Sequence, residues 1–160
     1  MEGVRNRISA KVIIVDEADR ILLMAHRDPS DGLEVWFAPG GGAEPGESLE
    51  EAARRELAEE VSELPDLELF GPVWTRHHLY TWDGRTTDLN EWFFVGRLSD
   101  SGMVTEVREG TGGEHVVRWK WWSVAELERF DGIVAPRRLP ELLPPLLRGE
   151  WPSSPIDAGV

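Results

Sequence analysis

The chain has 160 residues, 41% of them apolar, and carries 30 acidic against 17 basic side chains for a formal net charge of −13. That length suits one domain with a real core, and no apolar run approaches the roughly 18 residues of a membrane span. The acidic balance argues against nonspecific binding to nucleic acid or an anionic membrane. The absence of cysteine excludes disulfides, thiolate metal sites and cysteine nucleophiles.

The N-terminus carries charges before a short apolar run and reads as mature protein, not as a signal peptide. With no cysteine to pair, a cytoplasmic protein is the expectation. Ile8–Val15 and Ile21–Ala25 are rich in β-branched and aliphatic residues around the polar turn Asp16-Glu17-Ala18-Asp19, so residues 8–26 predict a hairpin. Trp36-Phe37-Ala38 predicts a short extended piece leading into Pro39-Gly40-Gly41-Gly42. Ser48 and Glu51 form an S-x-x-E start signal for a helix to about Val61. Leu67–Leu79 and Asn90–Leu98 read as strands around an Asp83-Gly84 turn, and residues 99–113 as loop. Val116–Trp122 reads as a further strand, and Ser123 with Glu126 opens a second, short helix. Pro136–Arg148 predicts a last helix interrupted by prolines. Residues 1–150 are expected to form a single domain and 151–160 a flexible tail. Strands on both sides of the first helix suggest a mixed sheet between helices.

Glu56, Glu59 and Glu60 fall at i, i+3 and i+4 of the first helix and therefore crowd one face. Like charges so placed cost about 0.2–0.5 kcal/mol in an isolated helix. Such a cluster points to a hard divalent cation bound through oxygen. A bound cation also reverses the local sign, so the acidic balance does not exclude a small phosphorylated ligand. Glu50, Glu51 and Glu63 read as ordinary solvated carboxylates.

The stretch from Gly41 to Glu63 resembles the Nudix box, G-x5-E-x7-R-E-U-x-E-E-x-G-U with U aliphatic. Gly41, Glu47, Arg55, Glu56, Leu57, Glu59 and Glu60 match in register. Trp36–Gly40 before it, and Trp121-Trp122-Ser123 with Glu126-Leu127 after it, are also similar to that family. The match fails at Ser62, where the family has glycine, and at Glu63, where it has an aliphatic. A residue with a Cβ in the left-handed conformation after a helix costs about 1 kcal/mol. A slip of one residue, with Leu64 as the aliphatic, would repair the exit.

The resemblance implies a Nudix-type α/β/α sandwich with a central mixed β-sheet. It implies Mg²⁺, or Mn²⁺, on Glu56, Glu59 and Glu60 with the Gly40 carbonyl, and hydrolysis of a nucleoside diphosphate linked to another moiety. Dinucleoside polyphosphates, nucleotide sugars and (d)NTPs are the candidate substrates. Glu47 and Arg55 resemble the family's loop-to-helix ion pair, which sets Arg55 in the catalytic centre. Gly41 and Gly42 are expected near the substrate. The general base stays open between Glu59 within the box and Glu106, Glu109 or Glu114 in the later loop, with Glu114 favoured. By the same resemblance Arg27, at the exit of the second strand, is a candidate phosphate ligand. Tyr80, 17 positions past the box, resembles a tyrosine of dinucleoside polyphosphate hydrolases. One of His77 and His78 should face inward, and one of the many tryptophans could stack on a base while the rest fill the core. Dimers are frequent in the family, so a homodimer is open. The alternative is a Nudix-fold module that senses a nucleotide without cleaving it.

Overall fold

A computed structural model describes residues 3–61, 63–108 and 115–160. Its elements run β1 (Arg5–Val15), β2 (Ile21–Arg27), β3 (Glu34–Phe37), β4 (Gly40–Gly42), α1 (Leu49–Glu60), β5 (Leu69–Trp82) and β6 (Arg85–Arg97). After a short 3-10 turn at Ser101–Met103 come β7 (His115–Trp122), α2 (Val124–Arg129), β8 (Ile133–Ala135), α3 (Leu139–Leu147) and β9 (Ile156–Asp157).

The strands form one mixed sheet in the order β8-β3-β2-β1-β6-β5-β9, with β4 added on β1 and β7 on β2. The expected β1–β2 hairpin exists, but its strands pair at the turn end, Val15 with Ile21. Asp16 makes that turn by accepting from the Ala18 and Arg20 amides and from Arg20 Nε. Beyond it the two strands take different partners. β1 runs parallel to β6 along its whole length and takes β4 on its other edge, whereas β2 is flanked by β3 and β7. The sheet therefore curls into two halves that part beside β1.

Alternation along β1 sends the two sets of side chains to opposite layers. Ala10, Val12 and Ile14 pack with Ala52, Ala53 and Leu57 of α1. Ile13 and Val15 pack with Trp74, Phe93, Trp122 and the α3 leucines Leu139, Leu143 and Leu146. The helices thus cover both faces, as the expected sandwich requires. The start signals act as read: Ser48 Oγ accepts from the Glu51 amide, and at Ser123 both halves of the capping box close. The last helix starts at Leu139, later than expected, with Pro140 in its first turn, where a missing amide donor is tolerated.

Two elements depart further from expectation. Residues 151–160, expected to fray, are drawn back along the sheet. Ile156–Asp157 pairs parallel with Trp74–Thr75, the Arg137 amide donates to Val160 O at 2.9 Å, and Trp151 stacks on Phe70. Main-chain pairing to an edge strand needs no periodic side-chain pattern, so it was not legible in ten mixed residues. At the exit of α1, the left-handed residue is Glu63, φ 60°. Ser62 lies outside the described residues. Leu64 packs against the α1-side core, the arrangement a one-residue slip requires.

Candidate active site

The glycine run is held between β1 and α1. Gly40, Gly41 and Gly42 pair with Lys11, Ala10 and Ser9, which brings their backbone onto the helix face that carries the glutamates. A Cβ on Gly41 would lie 2.6 Å from the Glu56 carboxyl carbon and 2.7–2.8 Å from its oxygens. A Cβ on Gly40, φ 135°, would collide with Ala10 O. Only glycine allows this approach. The Gly40 amide donates to Glu60 Oε2 at 2.9 Å.

Arg55 ties loop to helix. Its Nε donates to Glu47 Oε2 at 2.7 Å, and Nη2 to Glu47 Oε1 at 3.0 Å and to Gly42 O at 2.8 Å. Nη1 reaches Glu56 at 3.1 Å and Glu59 at 3.3 Å. The hydrogen bonds from Arg55 hold the Glu47 carboxyl at about 2, and those from Glu47 push the guanidinium pKa upward.

Glu56 and Glu60 are 2% and 4% exposed, and Glu59 Oε2 is buried with no hydrogen-bond partner among the described residues. Buried carboxylates need compensating charge. One guanidinium serves Glu47, Glu56 and Glu59 together. Among the described residues no group of three or more acidic or histidine side chains is set to hold a metal ion by itself. Mg²⁺ usually keeps waters and shares substrate phosphates, so it asks fewer ligands of the protein. The donor set, all oxygen with one unspent and buried, fits that ion.

Beside the glycine run a cavity of about 380 Å³ opens where the sheet halves part. Lys11 joins the two regions: it lines the cavity, and its Nζ donates to Gly40 O at 3.3 Å. The carbonyl expected as a metal ligand thus faces an ammonium group. Arg76, His78 and Tyr80 of β5 and Glu91 of β6 line it with Phe37 and Trp82, and the charged side chains Arg7, Asp28, Asp31 and Arg137 share the lining. Tyr80 lies parallel to His78, ring centroids 5.8 Å apart. Of the two histidines, His78 lines the cavity while His77 pairs with Asp88 on the surface. Trp36, Trp74 and Trp122 serve the core, and Trp82 is the tryptophan among the cavity-lining residues.

Arg27 is not among the cavity-lining residues. It is half exposed and pairs with Glu34 at 3.3 Å. Glu106 is exposed beside Arg108, and Glu109 and Glu114 lie outside the described residues. The segment leading to them is pinned to the helix end, with the Arg108 amide donating to Glu60 O and Val61 bridging Val107. Lys11, Arg76 and Glu91 were missed from sequence. Each sits alone in a strand pattern: the antiparallel β5–β6 register sets Arg76 against Glu91, and the parallel β1–β6 register brings Lys11 beside them.

His26 lies buried with both ring nitrogens lacking a hydrogen-bond partner among the described residues, its ring edge-on to Phe37 at 5.1 Å. Burial first, then the charge of Lys11, lower its pKa to about 3 from 6.5. Above pH 6.5 the group contributes no pH dependence. Below it the unfolded chain takes a proton the folded one refuses, so stability should fall by about 1.4 kcal/mol per pH unit down to about 3. Urea unfolding at pH 7 and pH 5 should show a loss of about 2 kcal/mol, much reduced in His26→Leu.

A family model described as the NUDIX domain matches residues 5–143. An RNA pyrophosphohydrolase of Erythrobacter litoralis is 30% identical over 138 residues, covering 81% of this chain and 83% of the relative. A putative 8-oxo-dGTP diphosphatase of Bacillus subtilis is 47% identical over 52 residues, 32% of either chain. A MutT Nudix hydrolase from Burkholderia pseudomallei superposes with a TM-score of 0.59 at 22% identity, covering 88% of this chain and 98% of that one. The chain belongs to the Nudix family and is a pyrophosphate-cleaving hydrolase.

Proposed function

We propose that the protein uses Mg²⁺ or Mn²⁺ to hydrolyse a phosphoric anhydride bond in a nucleoside diphosphate linked to a second moiety. The observation that carries this reading is the meeting of two buried carboxylates, Glu56 and Glu60, and the unpartnered Glu59 Oε2 with Gly40 and Gly41, where no side chain could fit. Glu56, Glu59 and Glu60 would hold the ion, with the Gly40 carbonyl. When bound, it neutralises phosphate charge and lowers the pKa of coordinated water.

The chain's own residues supply the rest. Gly41 leaves the space beside Glu56 open. Arg55 orients Glu56 and Glu59 while its charge is matched by Glu47. Lys11, reaching from the cavity to the Gly40 carbonyl, would meet the phosphate chain between the two regions. Glu114 of the later loop and Glu59 within the helix are the two candidates for the general base. Because geometry this tight governs attack, Gly41→Ala should lower kcat about a hundredfold while the variant still melts cooperatively.

A panel of nucleotide sugars, dinucleoside polyphosphates, (d)NTPs and a short 5′-triphosphorylated RNA, assayed with Mg²⁺ and with chelator, tests the reading. The RNA arm is included because a relative is named for that substrate. Metal-dependent release of phosphate products supports the proposal. Ligand-induced thermal stabilisation with no cleavage of any member would favour a nucleotide-sensing module instead.

A further inference from the structure

Arg76 and Glu91 face one another across β5 and β6 in the cavity lining, 2.6 Å apart and 6% and 4% exposed. A buried ion pair is a poor device for stability, since apolar residues of similar volume often do as well. Trp74 and Phe93, two residues further along the same two strands, belong to the apolar core. The pair also leaves hydrogen-bonding capacity unspent. Glu91 accepts Arg76 Nη1 on Oε1, and a carboxylate has about four lone-pair sites. Arg76 Nε is buried without an acceptor among the described residues.

The pair itself is unsuited to phosphate, because Glu91 cancels the charge of Arg76 and repels anions, although Arg137 shares the lining. Phosphate belongs at the Lys11 end, beside the glycine run. Phe37, Trp82 and Leu89 give part of the lining an apolar surface, among charged side chains that include Arg7, Asp28, Asp31 and Arg137, and a volume of about 380 Å³ lies at the small end of ligand cavities, roughly 300–1,000 Å³. A planar heterocycle fits both facts.

Resting on the reading that this cavity receives the non-phosphate part of the substrate, we infer that Glu91, held by Arg76, selects a heterocycle with a 2-amino-oxo edge. Such an edge sets two neighbouring N–H donors beside a carbonyl. The donors match the carboxylate and the carbonyl matches the guanidinium. Adenine offers Glu91 an amino group next to a ring nitrogen whose lone pair opposes the carboxylate. Hypoxanthine keeps the carbonyl and one N–H but lacks the second donor. Guanine and pterins share the full edge.

Calorimetric titration of the wild-type protein and Glu91→Gln with GMP, IMP, AMP and neopterin tests this without needing turnover. Wild type should bind GMP, neopterin or both about ten- to a hundredfold more tightly than IMP and AMP, the range expected for a hydrogen bond to a charged group. The GMP and neopterin arms identify the source of the edge. In Glu91→Gln, GMP should fall to within about twofold of IMP. Equal wild-type affinity for all four, or a GMP preference that survives Glu91→Gln, overturns the inference. Should the variant not fold, the wild-type comparison still decides, because IMP removes the same contact from the ligand side. Selective binding with no hydrolysis of the panel would sink only the enzymatic reading. Hydrolysis with no preference in binding would sink only this one.

Discussion

Glu60→Gln should lower kcat about a thousandfold while leaving the metal-free fold at least as stable as wild type. The magnitude follows from losing several kcal/mol of charge stabilisation at the reacting phosphates. The opposite sign for stability follows from burial. Glu60 is 4% exposed on a face shared with Glu56 and Glu59, and a glutamine keeps an acceptor for the Gly40 amide while removing one buried negative charge. Steady-state kinetics in saturating Mg²⁺ and a thermal melt in chelator measure the two effects separately. A purely structural glutamate would lose stability first and activity only in consequence.

Arg55→Lys should lower kcat/KM about ten- to a hundredfold, the loss common when the groups orienting metal ligands are removed. Arg55 makes five hydrogen bonds, to Glu47, Gly42, Glu56 and Glu59, which a planar fork can make and a single ammonium cannot. The same substitution should change acid behaviour. Glu47 is held at about 2 against an ordinary 4.5, chiefly by Arg55. Its contribution is therefore present above 4.5 and lost as pH falls toward 2. In Arg55→Lys the carboxyl returns toward 4.5 and that contribution shrinks. Unfolding curves between pH 5 and pH 2.5 should accordingly be less pH-dependent in the variant.

The parts of this site that lie within one helical turn of each other were legible in the sequence. The i, i+3, i+4 spacing of Glu56, Glu59 and Glu60 sets them on one face whatever surrounds the helix, and the run Gly40–Gly42 marked a place where backbone must come close. The sandwich was legible for a related reason: strand and helix periods differ, and α1 interrupts the strands. What long-range pairing decides was not. Lys11 reads as one polar residue in a hydrophobic strand until β1 is set against β4, which places it on the Gly40 carbonyl. Arg76 and Glu91 are 15 residues apart and meet only in the β5–β6 register. Arg27 shows the converse, a residue that looks suited to phosphate but pairs with Glu34 and is not among the residues lining the cavity.

Binding of Mn²⁺, counted by the loss of its free-ion EPR signal in wild type and in Glu56→Gln, tests the central claim most directly. The two buried glutamates and the unspent oxygen of Glu59 predict saturable binding to wild type, weakened at least about tenfold when the Glu56 charge is removed. Equal Mn²⁺ affinity in the two proteins would contradict the assignment of the metal to this face of α1.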